Sequence, residues 1–374
     1  MAIPFFDIGY NLGETEKAEL LKRWATVLEH GGFINGPEVG ELEIALADYL
    51  GVAHVVACSN GSDALVLALR AAGVCAGDEV ILPAFTFFAT AGAVSRIGAT
   101  PIFADISPQT FCLEPNSVSE RITERTRAIM PVHLYGRPAD ISALRAVAGD
   151  IPIVEDSAQA VGAVSVDGPC GGLGLVAGFS CFPTKNLGAC GDAGFVSTND
   201  SAVAEHIRHL KEHGGGRQYY HDDVGFNFRH DTLQAAALLA RLPQLPVYNA
   251  ARAEGAEHYT QLLSEIGCTE AEGAVRPPAR HLGHVWHQFV CRIPGQRDEL
   301  RAFLQKREIG SAVYYPLPLH LQPCFADLGG AKGMLPESER AAEEVLALPI
   351  YPGVTAEQRE EVVAGIAAFL GCKV

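Results

Sequence analysis

Between about residues 50 and 200 the chain alternates short apolar runs with helical stretches, and this alternation limits the fold more than any other feature. The runs are 54–58, 79–83, 101–104, 128–132, 151–155, 176–180 and 194–198, most of them rich in Val, Ile and Ala. Apolar runs of this length suit a mostly parallel sheet covered on both faces. Helical stretches at 62–72, 89–97 and 141–148 lie between them. Right-handed strand–helix–strand units then give a three-layer α/β domain, with ligands expected where strands end and helices begin.

Further helices are expected at 201–213, stopped by Gly214–Gly216, and at 231–241, stopped near Pro243 and Pro246. Beyond these, an amphipathic helix at 252–266, two apolar runs, two more helices and a Pro-punctuated loop at 315–323 make up a smaller α/β unit. The expected division is a large domain over residues 12–245 and a small one over 246–374, with residues 1–11 packing on the small one.

Composition narrows the function. The 374 residues, 48% of them hydrophobic, are ample for a large core. A net charge of -16 repels polyanions, so nucleic acid is not an expected partner. The first 17 residues lack a basic segment followed by a long apolar run, and no apolar stretch reaches the length of a membrane span. The ten cysteines are widely spaced with no C-x-x-C pair, which reads as reduced thiols in the cytoplasm.

Four segments at strand ends can carry chemistry. The stretch 59–64 (SNGSDA) opens a helix; it reads either as a turn with an N-cap or as an anion site, in which Gly61 allows close approach and Ser62 adds a hydroxyl. The aromatics of 83–88 (PAFTFF) are either core or a wall for a flat ring. In 154–159 (VEDSAQ) an apolar strand delivers two carboxylates; they cap a helix, or one meets a cation such as a protonated pyridine nitrogen. In 178–194, Lys185 stands among aromatics, small residues and glycines, with Ser180 five residues before it. A desolvated lysine has a depressed pKa and forms Schiff bases; the alternative is a surface loop lysine. The order of the four is what a pyridoxal phosphate (PLP) site requires.

Other clusters point less far. His206, His209 and His213 share a helix face at a spacing that could bind a metal, but Arg208 and Lys211 in the same run favour a solvated basic face, and no metal site is expected. The Gly214–Gly216 stretch with Arg217 reads as a flexible loop.

Taken together, NGSDAL, PVHLYG, VEDSAQA, FPTKNLGACGDAG, GFNFRHDTLQAA and YYPLPLHLQP give the chain a resemblance to the DegT/DnrJ/EryC1/StrS family of fold-type-I PLP enzymes, mostly nucleotide-sugar aminotransferases, over nearly its whole length. The resemblance implies that Lys185 holds the cofactor covalently and that Asp156 pairs with the pyridine nitrogen. It places Gln159 near the ring hydroxyl, Phe87 on the ring, and Gly61, Ser62 and Ser180 on the phosphate. Asn227 would reach the phosphate of a neighbouring subunit, which implies a homodimer with shared sites. Arg229 would meet an anionic part of the substrate, and Tyr315 and His320 the sugar nucleotide. Dehydratases of the family have His in place of the lysine; keeping Lys185 favours amino transfer from L-glutamate to a keto-sugar on a nucleoside diphosphate. The chain departs from the family at Cys181, where an aromatic is common, and at Phe228, where a small residue often follows the Asn; both leave the sugar open. The rival readings are an aminocyclitol- or aminobenzoate-forming relative, a non-catalytic regulator, and a dinucleotide oxidoreductase, which would want G-x-G-x-x-G at the Cys58 turn.

Overall fold

The computed structural model describes residues 2–7, 13–217 and 219–372. Residue 12, where the large domain was expected to begin, and residues 8–11 and 373–374 lie outside the described residues. Each expected apolar run from 54 to 198 forms a strand: β1 (His54–Cys58), β2 (Glu79–Pro83), β3 (Thr100–Ala104), β4 (Thr126–Ile129), β5 (Val154–Asp156), β6 (Val176–Ser180) and β7 (Gly194–Thr198). β2 pairs in parallel with β3 and β4, β5 pairs in parallel with β6, and β7 runs antiparallel to both β6 and β1. Parallel bridges Ile129–Ile153 and Val132–Asp156 join the two ladders into one sheet, in the order β3-β2-β4-β5-β6-β7-β1. Only β7 is reversed. The link from β6 to β7 is a loop with no crossover helix, and such a link returns the chain antiparallel.

Alternation along the strands explains the layers. In β1, Val56 and Cys58 join one core while Val55 and Ala57 join another; in β7, Val196 and Phe195 divide the same way. The first core is closed by α3 (Gly61–Ala71) and α4 (Phe88–Arg96), the second by α2 (Pro37–Leu50) and the helix Thr232–Arg241. The sheet is thus buried on both faces, as its apolar strands require. An N-terminal helix, α1 (Glu14–His30), adds to the second side. Its Leu20 packs with Ala237 and Ala240, and Trp24 Nε1 donates to the Leu233 carbonyl at 2.8 Å.

One expected break is absent. The helix expected from residue 252 begins at Leu245 and runs to Glu265. Pro246 lies in its first turn, where no intrahelical bond is lost and proline is tolerated. The helix crosses the expected boundary: Leu245 belongs to the sheet's second core, while Ala256, Tyr259 and Leu263 enter a third. That third core gathers Phe289 and Leu346 from an antiparallel strand pair, Leu300 and Ile366 from two helices, and Ile3 from near the N-terminus. We propose residue 245 as the division between the two units.

The VED strand end shows how period-two geometry assigns roles. Glu155 and Asp156 are adjacent, so they face opposite ways. Glu155, fully buried, accepts from His133 Nε2 at 2.8 Å and from the backbone N–H groups of Gly171 (2.8 Å), Leu173 (2.9 Å) and Gly174 (2.6 Å). The Ala139 N–H donates to His133 Nδ1, so the imidazole proton stands on Nε2, toward Glu155. Burial alone would raise the Glu155 carboxyl pKa, but the His133 bond and the backbone donors hold it below its ordinary value. Replacing Glu155 by Ala strands these donors in the interior. The expected cost is about 3 kcal/mol or more, read from denaturant unfolding; a loss below about 1 kcal/mol would contradict this account.

Candidate active site

β1, β2, β5 and β6 point the same way, so their C-terminal ends lie along one edge of the sheet. A cavity of about 550 Å³ opens there. Of the residues singled out from sequence, Gly61, Ser62, Phe87, Asp156, Gln159, Ser180, Lys185 and Tyr315 line it.

At the end of β1, Asn60 caps α3: its side chain accepts from the Asp63 N–H at 2.9 Å and donates to Asp63 Oδ2 at 2.8 Å. The capping alternative therefore holds for Asn60, while Gly61 and Ser62, at the helix start, face the cavity. The fit against β6 is tight. A Cβ on Gly61 would lie 2.5 Å from the Ser180 Cβ, so only glycine lets the helix start sit beside Ser180. Backbone N–H groups at a helix start, two serines and a close approach make a phosphate-sized anion cradle.

At the end of β2 the three aromatics separate. Phe85 is fully buried and Phe88 stacks on Phe325 with centroids 5.8 Å apart; only Phe87 turns to the cavity, its ring 6.1 Å from Tyr315. At the end of β5, Asp156 is 4% exposed. Its Oδ2 accepts from Thr90 Oγ1 at 2.8 Å and its Oδ1 from the Ala158 N–H at 3.2 Å. It forms no ion pair among the described residues. Burial raises its pKa, and Thr90, the Ala158 N–H and the charge of Lys185 pull the other way.

Lys185 stands on the loop between β6 and β7. Bonds from the Cys181 N–H to the Ala193 carbonyl and from the Ala189 N–H to the Cys181 carbonyl, each 2.8 Å, fix the loop. Gly188 packs against the Pro183 carbonyl, which a Cβ would meet at 2.4 Å. Desolvation brings the Lys185 ammonium down to about 8 against the opposing attraction of Asp156. A far larger share of its amine is therefore neutral, and nucleophilic, near neutral pH than for an ordinary lysine.

Gln159 bridges the far wall. Its Oε1 accepts from the Tyr135 N–H at 2.6 Å and its Nε2 donates to the Tyr315 hydroxyl at 3.2 Å, while the Tyr135 hydroxyl donates to the Tyr314 carbonyl. Burial raises the Tyr315 phenol pKa, so it stays a neutral hydroxyl. Tyr135 itself holds a left-handed backbone conformation, φ 61°. Thr90, Tyr135, Tyr314 and His287 carry no role in the sequence reading; Tyr135 lies within PVHLYG and Tyr314 within YYPLPLHLQP, while Thr90 and His287 stand in no such motif.

Asn227, Arg229 and His320 do not line this cavity. Asn227 is exposed and bridges Glu212 through the backbone; Arg229 is half-buried. The Phe226 and Phe228 rings stack at 4.6 Å beside the β1 turn, where the Ser59 N–H donates to the Phe228 carbonyl. His320 is buried with Nε2 3.1 Å from Glu339 Oε1, and Glu339 also accepts from the Gly333 N–H at 2.8 Å. His206 pairs with Asp223 at 3.1 Å, and among the described residues no group of three or more His, Cys, Asp or Glu could hold a metal ion. Among the same residues no helix is long and apolar enough to cross a membrane.

The residues fit pyridoxal phosphate: an anion cradle, an aromatic wall, a buried carboxylate with no ion pair among the described residues, and a lysine with a lowered pKa. Known proteins agree. Residues 14–367 match the model of the DegT/DnrJ/EryC1/StrS aminotransferase family. The chain is 46% identical to a "pleiotropic regulatory protein" of Geobacillus stearothermophilus, with 99% of each chain covered. It is 41% identical to a UDP-N-acetyl-3-dehydro-alpha-D-glucosamine 3-aminotransferase of Acidithiobacillus ferrooxidans, covering 99% of this chain and 97% of that one. Among solved structures, DesV of S. venezuelae, in complex with a ketimine intermediate, superposes with a TM-score of 0.94 at 39% identity, with both chains fully covered. NtdA of Bacillus subtilis, with bound cofactor PMP, gives 0.92 at 33% identity, covering 99% of this chain and 85% of that one. A match that spans nearly the whole sequence, together with these relatives, makes the chain a member of the DegT/DnrJ/EryC1/StrS aminotransferase family.

Proposed function

We propose that the chain is a PLP-dependent aminotransferase that moves an amino group from L-glutamate to a keto-sugar carried on a nucleoside diphosphate. The observation that carries this reading is Lys185 and Asp156 lining one cavity: a lysine with a lowered pKa and a buried carboxylate with no ion pair among the described residues. Relatives named for amino transfer at carbon 3 of UDP- and dTDP-linked sugars support carbon 3 as the aminated position. The regulatory name of one relative is not followed, because a sensor has no need of such a lysine facing such a carboxylate.

When bound, the cofactor supplies an electron sink for the donor's α-carbon. The protein does the rest. Gly61, Ser62 and Ser180 hold its phosphate, Phe87 covers a ring face, and Gln159 approaches the ring hydroxyl. Asp156 holds a proton on the ring nitrogen, with Thr90 fixing the carboxylate. Lys185 holds the cofactor at rest; once displaced by the donor, its amine takes the proton from the α-carbon and in the second half returns one to the sugar carbon. Tyr315 and His320 serve the sugar nucleotide, and Arg229 an anionic part of the substrate; for His320 and Arg229 the support is the resemblance alone.

The active unit on this reading is a homodimer with shared sites. Asn227 is exposed and outside its own chain's cavity, as a residue serving a neighbour must be. The compartment is the cytoplasm, in keeping with ten free thiols.

Incubation with L-glutamate and a UDP- or dTDP-linked 3-keto-sugar is expected to yield 2-oxoglutarate and amino-sugar in equal amounts. Lys185→Ala and Asn227→Ala are each expected to be inactive alone. Mixed, they should recover roughly a quarter of the activity, since half the dimers then carry one intact site. No 2-oxoglutarate from the wild type would sink the reading, and no recovery on mixing would sink the shared site.

Uptake of PLP by the cofactor-free protein reports on Lys185 separately. Only the neutral amine attacks the aldehyde. With the ammonium titrating at about 8, the rate should rise about tenfold per pH unit below that point and level off above it. A rate still climbing tenfold per unit beyond pH 9 would show an ordinary lysine.

A further inference from the structure

The cavity wall contributed by the second unit contains a group that the mechanism above does not use. His287 is buried, lines the cavity, and precedes the strand Phe289–Arg292. Its Nδ1 lies 3.1 Å from Asn186 Oδ1. The Asn186 amide nitrogen donates to the Asn249 Oδ1 at 2.8 Å and to the Val285 carbonyl at 2.9 Å. The Val285 carbonyl can only accept, so the side chain orientation is fixed with Oδ1 toward the histidine. Oδ1 can only accept, so His287 Nδ1 carries the proton. Burial, the charge of Lys185 and the buried Arg252 hold the imidazole pKa well below its ordinary value. A neutral ring protonated on Nδ1 leaves a lone pair on Nε2, which has no partner among the described residues.

The backbone around this ring is fixed. Arg252 Nη1 donates to the carbonyls of Trp286 and His287, each at 3.3 Å, and to that of Ile350 at 2.9 Å. Rotating the ring to present a donor would break the Asn186 bond. His287 is thus a pre-set acceptor facing the cavity.

What it accepts from follows by elimination among the cavity's occupants. The carboxylates of glutamate have no proton to give, the donor's amine is committed to the reaction, and the cofactor's own donors are engaged on the reading above, its ring nitrogen by Asp156 and its ring hydroxyl by Gln159. A sugar offers hydroxyl and amide N–H donors. We propose that His287 Nε2 accepts a hydrogen bond from a hydroxyl or amide of the amino-accepting sugar, and so selects a sugar with a donor at that place. The inference rests on the nucleotide-sugar reading above and extends it to one contact.

The test uses the cofactor-loaded protein with two probes, UDP-N-acetylglucosamine and UDP, and reads dissociation constants by titration calorimetry. His287→Asn keeps an amide nitrogen for Asn186 and removes the Nε2 acceptor. His287→Gln puts an acceptor back at the Nε2 position. The expected result is an affinity for UDP-N-acetylglucosamine about tenfold weaker in the Asn variant, UDP affinity unchanged, and the Gln variant within about threefold of the wild type. An Asn variant that binds the sugar nucleotide as the wild type does, an equal loss for UDP, or a Gln variant as weak as Asn each overturns the contact while leaving the nucleotide-sugar reading intact. A wild type that binds neither these probes nor dTDP and dTDP-glucose overturns that reading, and the contact with it.

Discussion

Asp156 is a carboxylate held in the interior by one hydroxyl and one backbone N–H, with no ion pair among the described residues. Burial of a charge on those terms is costly unless a positive group arrives. The rest of the site is arranged around that condition. The strand that delivers Asp156 is pinned from behind by Glu155, whose four donors come from two other stretches of chain, His133 and the turn 171–174. Thr90, on the helix after the neighbouring strand, fixes the carboxylate's orientation. Lys185 faces the same cavity and is destabilised as an ammonium by the same desolvation. The carboxylate and the amine thus respond in opposite senses to one dry environment, and a cationic aldehyde satisfies both.

The sequence makes the positions of these groups legible, and period-two geometry explains why. A strand buried on both faces reads as an apolar run, so a polar residue at its end stands out, as Asp156 and Ser180 do; Ser62 is marked by the helix it opens, and Lys185 by the aromatics, small residues and glycines around it. What spacing leaves open is direction. Nothing in VED says which carboxylate faces the cavity, and nothing in PAFTFF says which ring does. Both depend on the sheet's pleat and on what packs behind it. The helix start at Leu245 was hidden because proline stops a helix in its interior and suits its first turn, and only the register decides between them. Thr90 and His287 come to the cavity from separate elements, so no local pattern marks them, and nothing in YYPLPLHLQP says that Tyr314 faces the cavity beside Tyr315.

The two units divide the labour. Strand ends of the sheet supply the cradle, the carboxylate and the lysine, while the second unit closes the cavity with Tyr315, Tyr314 and His287. The Asn186 side chain spans the two, since it bonds to Asn249 on the long helix and to Val285 and His287 beyond it. The residue next to the lysine therefore registers the position of the substrate-facing wall. This coupling gives a physical reason for the long helix to cross from one core to the other.

The central claim is that Lys185 carries the cofactor, and borohydride reduction of the PLP-loaded protein tests it most directly. Reduction fixes any imine as a stable secondary amine, and peptide mass spectrometry then locates it. The account requires a single phosphopyridoxyl group, on the peptide containing Lys185. A label on another lysine, or none on a protein that has taken up PLP, would contradict it.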